Sequence, residues 1–172
     1  VLLYDRETES LWSQIMAQAI SGPYKGKKLK TVPLTHTSWQ DWSTRHPDSL
    51  VLSTSTGYIR DYSKSPYGGY DQSNRIFFPV AASDGRFHKK EWVLGVKIDG
   101  SYKAYPFSEL AKTSSPVIDS ISGYRIEVSF DRENRSAVAR DEKGNQIPAV
   151  TSYWFAWYAF HPETDIFDGE KQ

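Results

Sequence analysis

The chain has no cysteine among its 172 residues. Disulfides, thiolate metal sites and cysteine nucleophiles are therefore excluded from it, although that absence does not fix its compartment. It has no excess of either charge, with Lys+Arg at 21 and Asp+Glu at 21. No net field draws it to nucleic acid or to an anionic membrane. The one basic cluster, Lys25-Gly-Lys-Lys-Leu-Lys30, reads as a solvated turn and strand edge. No stretch is long or apolar enough for a transmembrane helix or an uncleaved signal peptide. A serine elbow, a phosphate loop, a dinucleotide fingerprint and a zinc-protease helix are all missing. The residues thus call for no cofactor.

What the chain has in quantity is aromatic side chains, 15% of the total, with six Trp and eleven Tyr. That suits a β-rich domain with a sugar-like or protein-facing surface. Four of the Trp belong to a motif that occurs twice. Pro33, Trp39, Trp42, His46 and Pro47 recur at the same spacing as Pro148, Trp154, Trp157, His161 and Pro162, and an acid follows each time, Asp48 and Glu163. The repetition indicates two copies of one structural unit, or pieces of them. A second, shorter match pairs Tyr4-Asp-Arg-Glu-x-x-Ser10 with Phe130-Asp-Arg-Glu-x-x-Ser136.

The spacing predicts helices over 37–45 and 152–160, since Trp, Trp and His at i, i+3 and i+7 share one face. Thr37 or Ser38 would cap the first and Thr151 or Ser152 the second. Pro47 and Pro162 stop them, leaving each His at the negative end of the helix dipole. The second helix is apolar all round and should be buried or meet a partner.

The rest reads mostly as strand. Residues 1–4 and 11–15 flank a polar turn; 29–34 and 50–53 read as strands, with a long Ser/Gly/Tyr-rich loop over 54–74. Residues 93–98 and 102–105 make a hairpin around Asp99-Gly100, which supplies the positive φ of a tight turn. Pro106 opens a short helix through Leu110. In 124–130, Ile126, Val128 and Phe130 alternate with polar residues as in a half-buried strand. Residues 136–139 follow, and Lys143-Gly144-Asn145 turns the chain. The expected class is α+β, mainly antiparallel β with short Trp-bearing helices. One compact domain would comprise the end of a first unit (1–52), a Tyr/Gly-rich connector (53–92) and a second unit (93–172). The second Trp helix follows the orderly run 93–147, whereas the first follows only 1–32. The first copy therefore starts mid-unit, and strands belonging before Val1 are expected to come from elsewhere.

Several stretches closely resemble the bacterial and archaeal family called "domain of unknown function 3179". They are Tyr4-Asp-Arg-Glu-Thr-Glu-Ser-Leu-Trp-Ser-Gln14, Gly57-Tyr-Ile-Arg-Asp-Tyr62, Pro66-Tyr-Gly-Gly-Tyr70, Val93-Leu-Gly-Val96, Ala104-Tyr-Pro106 and Trp154-Phe-Ala-Trp-Tyr-Ala-Phe-His-Pro162. The likeness runs in order over essentially the whole chain. It implies a secreted or periplasmic setting and carries no established activity. It also implies an upstream part bearing a Cys-Pro-x-Cys motif that this sequence does not contain. The chain then resembles the C-terminal two-thirds of a family domain.

Three groups of residues are candidates for chemistry. The 54–70 loop offers Arg60 as a fork donor, Asp61 as a carboxylate, and Tyr62, Tyr67 and Tyr70 as stacking faces. Gly68 and Gly69 allow close backbone approach, and Trp12 is expected near the loop as a further stacking face. An Ω-loop packed on its own tyrosines would use the same residues. Asp5 and Glu7, or Asp61, are the carboxylates a hydrolase of carbohydrate or peptide would use, although the first two equally suit a solvated turn. His46 and His161 could hold a metal only with carboxylate help, and the helix-terminal reading explains both without one. His36 and His88 read as surface residues. The expected role is an extracytoplasmic binding or assembly domain with a protein partner, either its own N-terminal fragment or a neighbouring subunit completing the sheet. A hydrolase is the second reading. A metal or redox protein whose Cys ligands lie on the upstream segment is the third.

Overall fold

The computed structural model describes residues 2–171; Val1, expected in the first strand, lies outside them. The chain is α+β and mostly strand. A first sheet holds β1 (Leu2–Tyr4), β2 (Leu11–Ser13) and β3 (Gln18–Ser21) in that order, all antiparallel. Helix α1 (Trp39–Arg45) follows after a stretch without regular structure.

The second half is better ordered. Strands β4 (Trp92–Ile98) and β5 (Ser101–Pro106) form a hairpin whose two turn residues have positive φ, 50° at Asp99 and 83° at Gly100. That is the geometry whose twist matches the strands. Helix α2 (Phe107–Leu110) opens beyond Pro106, which cannot donate an N–H and sits where none is needed. Next come β6 (Val117–Ile121), β7 (Tyr124–Asp131) and β8 (Ser136–Asp141), a three-stranded antiparallel sheet. Then β9 (Ala149–Tyr153), α3 (Trp154–Phe160) and β10 (Asp165–Ile166) complete a four-stranded sheet ordered β10-β5-β4-β9.

That central sheet has two covered faces. Leu94, Val96 and Tyr105 on one face join Ile126, Val128 and Ala139 of the three-stranded sheet and Phe167 in the main core. Val93 and Ala104 on the other face pack with Trp154 and Trp157 of α3. Gly95 makes the second contact possible. A Cβ built there would lie 2.2 Å from the Trp157 ring, so only a bare backbone lets the indole settle on β4.

Several expected bounds need correction. Both Trp helices begin two residues later than expected. Ser38 does cap α1, accepting from the Asp41 N–H at 3.1 Å. Thr151 and Ser152, however, lie inside β9, so they cannot cap α3. Its first amides are satisfied by backbone instead: Trp154 N–H donates to the Glu91 carbonyl at 2.7 Å and Phe155 N–H to Lys89 at 3.1 Å. Residues 29–34 and 50–53 are not strands; just ahead of the former, Lys28 makes an isolated bridge with Gln18. Their β-forming side chains lack a neighbouring strand, and a lone extended segment has nothing to pair with. Strands β3, β6, β9 and β10 lie outside the expected strands.

Candidate functional site

The two Trp motifs make the same contacts. His46 and His161 each end their helix with nearly the same backbone, φ −134° and ψ 69° against φ −136° and ψ 64°. Their N–H groups donate to the Trp42 and Trp157 carbonyls at 2.8 and 3.0 Å. The Trp42 indole N–H donates to Ser49 Oγ at 2.9 Å, and that of Trp157 to Thr164 Oγ1 at 3.1 Å. Each His ring lies on its Trp, with centroids 4.0 and 4.3 Å apart. The shorter sequence match behaves alike. Tyr4 pairs with Leu11 as Phe130 pairs with Ala137. The Asp5 and Asp131 carboxylates each accept an N–H inside their own turn, from Thr8 and Asn134, and Glu9 and Arg135 both have positive φ, 55° and 48°.

What differs is the cover. In the second half, the segment before the helix is β9, paired with β4, and the segment after it is β10, paired in parallel with β5 through Asp165–Lys103 and Ile166–Ala104. Phe167 N–H adds a bond to the Ala104 carbonyl at 2.9 Å, and its ring is only 2% exposed. In the first half the matching positions are 34–38 and 50–52, and neither is a strand. Leu52, matching Phe167, is 95% exposed; Leu50 and Val51 are exposed as well. Leu2, matching the fully buried Val128, is 59% exposed, and Trp39 is 52% exposed where Trp154 is buried. These apolar side chains stay exposed, and among the described residues neither 34–38 nor 50–52 is paired in a sheet. Segment 35–38 is held from the other side: His36 lies on Trp92 with centroids 5.3 Å apart, Gln146 donates to Thr35 at 3.3 Å, and Ser38 bonds Asn134.

The Tyr-rich loop is placed differently from a single cluster. Tyr67, Gly69 and Tyr70 border a hollow of ≈ 580 Å³ with Phe77 and Tyr153. Gly69 takes φ 70° there to start a 3-10 turn, Tyr70–Gln72. Tyr70 stacks on Phe77 at 4.3 Å. The ammonium of Lys90, a nearly buried lysine, sits 3.6 Å over the Tyr70 ring and donates to the Ser73 and Arg75 carbonyls at 3.0 and 2.6 Å. Lys90 thus ties the loop to the base of β4. No sequence signal marks it, because a lysine beside a strand reads as solvated. Gly68 is exposed with open space around it. Tyr62 bonds Thr56 at 2.8 Å, away from the hollow, and Arg60 makes no ion pair among the described residues. Trp12 is on β2, edge-on to Tyr24 at 6.0 Å, and does not border the hollow.

The carboxylates serve their turns. Asp61 accepts from the Ser63 hydroxyl at 2.5 Å and N–H at 3.0 Å and pairs with Lys64 at 3.3 Å; the hydroxyl first, then these others, hold its carboxyl below the usual range. Asp5 accepts from the Thr8 hydroxyl at 2.6 Å and the Glu7 N–H at 2.9 Å and is lowered in the same way, the hydroxyl again leading. A carboxyl held ionised is a poor general acid. Neither borders a described cavity, and Glu7 is exposed.

A larger cleft of ≈ 1020 Å³ lies between the halves, bordered by Met16 and Leu29 on one side and Tyr102, Arg125, Trp157 and His161 on the other. His46 is exposed, while His161 is buried and stacked on Tyr102 with centroids 4.0 Å apart. Among the described residues no group of three or more His, Asp or Glu could hold a metal ion. Burial pushes the His161 imidazole below its ordinary value, Glu163 opposes the shift, and Lys97 adds to it. A folded pKa below the unfolded 6.5 means the unfolded chain binds the proton first. Stability contributed by neutral His161 is present above about pH 6.5 and lost as pH falls through its folded pKa. Urea unfolding between about pH 7 and about pH 5 should show that loss, flattened in His161→Phe. Equal slopes in both proteins would assign it to other groups.

A model of the family described as "Protein of unknown function (DUF3179)" matches residues 1–164. The chain belongs to this family. No curated protein and no solved structure matches it. For this member of DUF3179 the family description supplies no reaction. No helix is long and apolar enough to cross a membrane among the described residues.

Proposed function

We propose that this chain is an assembly domain whose first half takes up strands from a protein partner. The observation that carries this is the bare strip 50–52: the second half turns the same place into β10 and the buried Phe167. Each Leu or Val left in water there forgoes about 1.5–3 kcal/mol of burial. Docked strands would recover that and satisfy the two open backbone edges, which is the physical basis of recognition by strand addition. The repeated contacts support reading the chain as two copies of one unit, with no counterpart of β4–β5 in the first among the described residues. The family resemblance supports an extracytoplasmic setting.

The test is native mass spectrometry on the protein isolated from its source without denaturation. The expected mass exceeds that of the single chain by a component that denaturation releases, and Leu52→Asp abolishes that excess. A single chain with nothing bound would overturn the reading. A second reading assigns small-molecule binding to the Tyr-rich loop. It is favoured by the hollow that brings Tyr67, Gly69 and Tyr70 together, with Trp12, Arg60, Asp61, Tyr62 and Gly68 outside it.

A further inference from the structure

We infer that the partner segment is an antiparallel β-hairpin carrying glycine at the residue that faces Trp42. This rests on the assembly reading and specifies its occupant. The second half supplies the template. Between β9 and β10 lie two strands, β4 and β5, joined by a two-residue turn. The first pairs antiparallel with the segment before the helix, Gly95 opposite Val150, and the second pairs in parallel with the segment after it. By the matched positions, the partner's first strand would lie along 34–38, its glycine opposite Thr35, and its second strand along 50–52.

The glycine follows from the state of Trp42. Its indole is already fixed as that of Trp157 is, by the bond to Ser49 and the ring of His46, without any strand beneath it. A docking strand therefore meets a preset ring. In the second half that ring stands where the Cβ of residue 95 would be, 2.2 Å from it, and the residue beside Gly95 on β5 is only Ala104. Residues on the opposite face of the hairpin must be apolar, since the exposed Leu2 and Leu52 match Val128 and Phe167, which pack around Leu94, Val96 and Tyr105. The partner is thus a hairpin patterned like β4–β5, with glycine and a small residue under α1 and large apolar side chains on its other face.

The probe is a synthetic hairpin reproducing residues 91–107, added to the full chain and followed by hydrogen–deuterium exchange. Amides of 34–38 and 50–52 should become protected. The same peptide with valine in place of its Gly95 should bind about tenfold more weakly or worse, as overpacking of a fixed ring requires. Trp42→Ala in the protein should restore binding of the valine peptide. Equal binding of both peptides to the unaltered protein would overturn the glycine requirement and leave strand uptake standing. Failure of both peptides to protect 34–38 or 50–52 would sink the assembly reading itself. Protection of these segments without peptide, in a species of twice the chain mass, would show that a second copy covers them and would overturn the hairpin.

Discussion

Gly95→Val is expected to lower Tm by about 6–12 °C, from a loss of about 3 kcal/mol in a chain of this size. The ring of Trp157 occupies the space a side chain would need, with three of its atoms between 2.2 and 2.4 Å of a Cβ. It cannot retreat freely, because its N–H is held by Thr164, and Tyr102 and His161 crowd the ring. β4 cannot retreat either, being bonded to β5 and β9 on its two edges. Gly68→Ala is the control: nothing lies within 4 Å of its Cβ, and Tm should move by no more than about 2 °C. Thermal melts followed by circular dichroism decide it. Equal melting of the two variants would mean the Trp157 ring has room to move.

The second large effect is an inequality between matched residues. Trp157→Ala should cost about 3–5 kcal/mol, because the indole is buried between α3 and the central sheet. Trp42→Ala should cost under about 1 kcal/mol, since the same side chain in the first half has no sheet beneath it. Urea titrations of the two variants compare them directly. Similar midpoints would show that the first half is packed as well as the second, which would remove the basis for a docking surface there.

How far the sequence foretold this depends on where each element finds its partner. The β4–β5 hairpin was legible because both strands and their Asp-Gly turn are contiguous. β7 was legible from the alternation of Ile126 and Val128. β6 was overlooked, although Ser122-Gly123, with positive φ at both residues, is a turn signal directly before β7. The run 50–53 read as a strand on side-chain preference and is bare, since such preference measures fit to neighbours that the described residues do not supply. α3 was placed too early because β9 runs into it without a break, and no side-chain cap marks the change. Of the loop residues, Tyr67, Gly69 and Tyr70 meet at one hollow. Phe77 follows just beyond the loop, whereas Lys90 and Tyr153, which also meet it, come from more distant positions and could not be read locally.

The parallel pairing of β10 with β5 also bears on the order in which the chain can fold. A two-residue hairpin such as β4–β5 closes in about 1–10 μs, whereas β10 must wait for the intervening chain, and closure entropy makes such distant pairings late. Until then the hairpin has both outer edges open. If the first half takes up such a hairpin, as proposed, it offers a second seat of the same design during synthesis. Residues 35–38, α1 and the strip 50–52 emerge before it does, so the wrong seat is offered first. What retrieves the hairpin is burial of Trp154 and Trp157, which only its own helix provides, and the kinetic trap to look for is a swapped dimer.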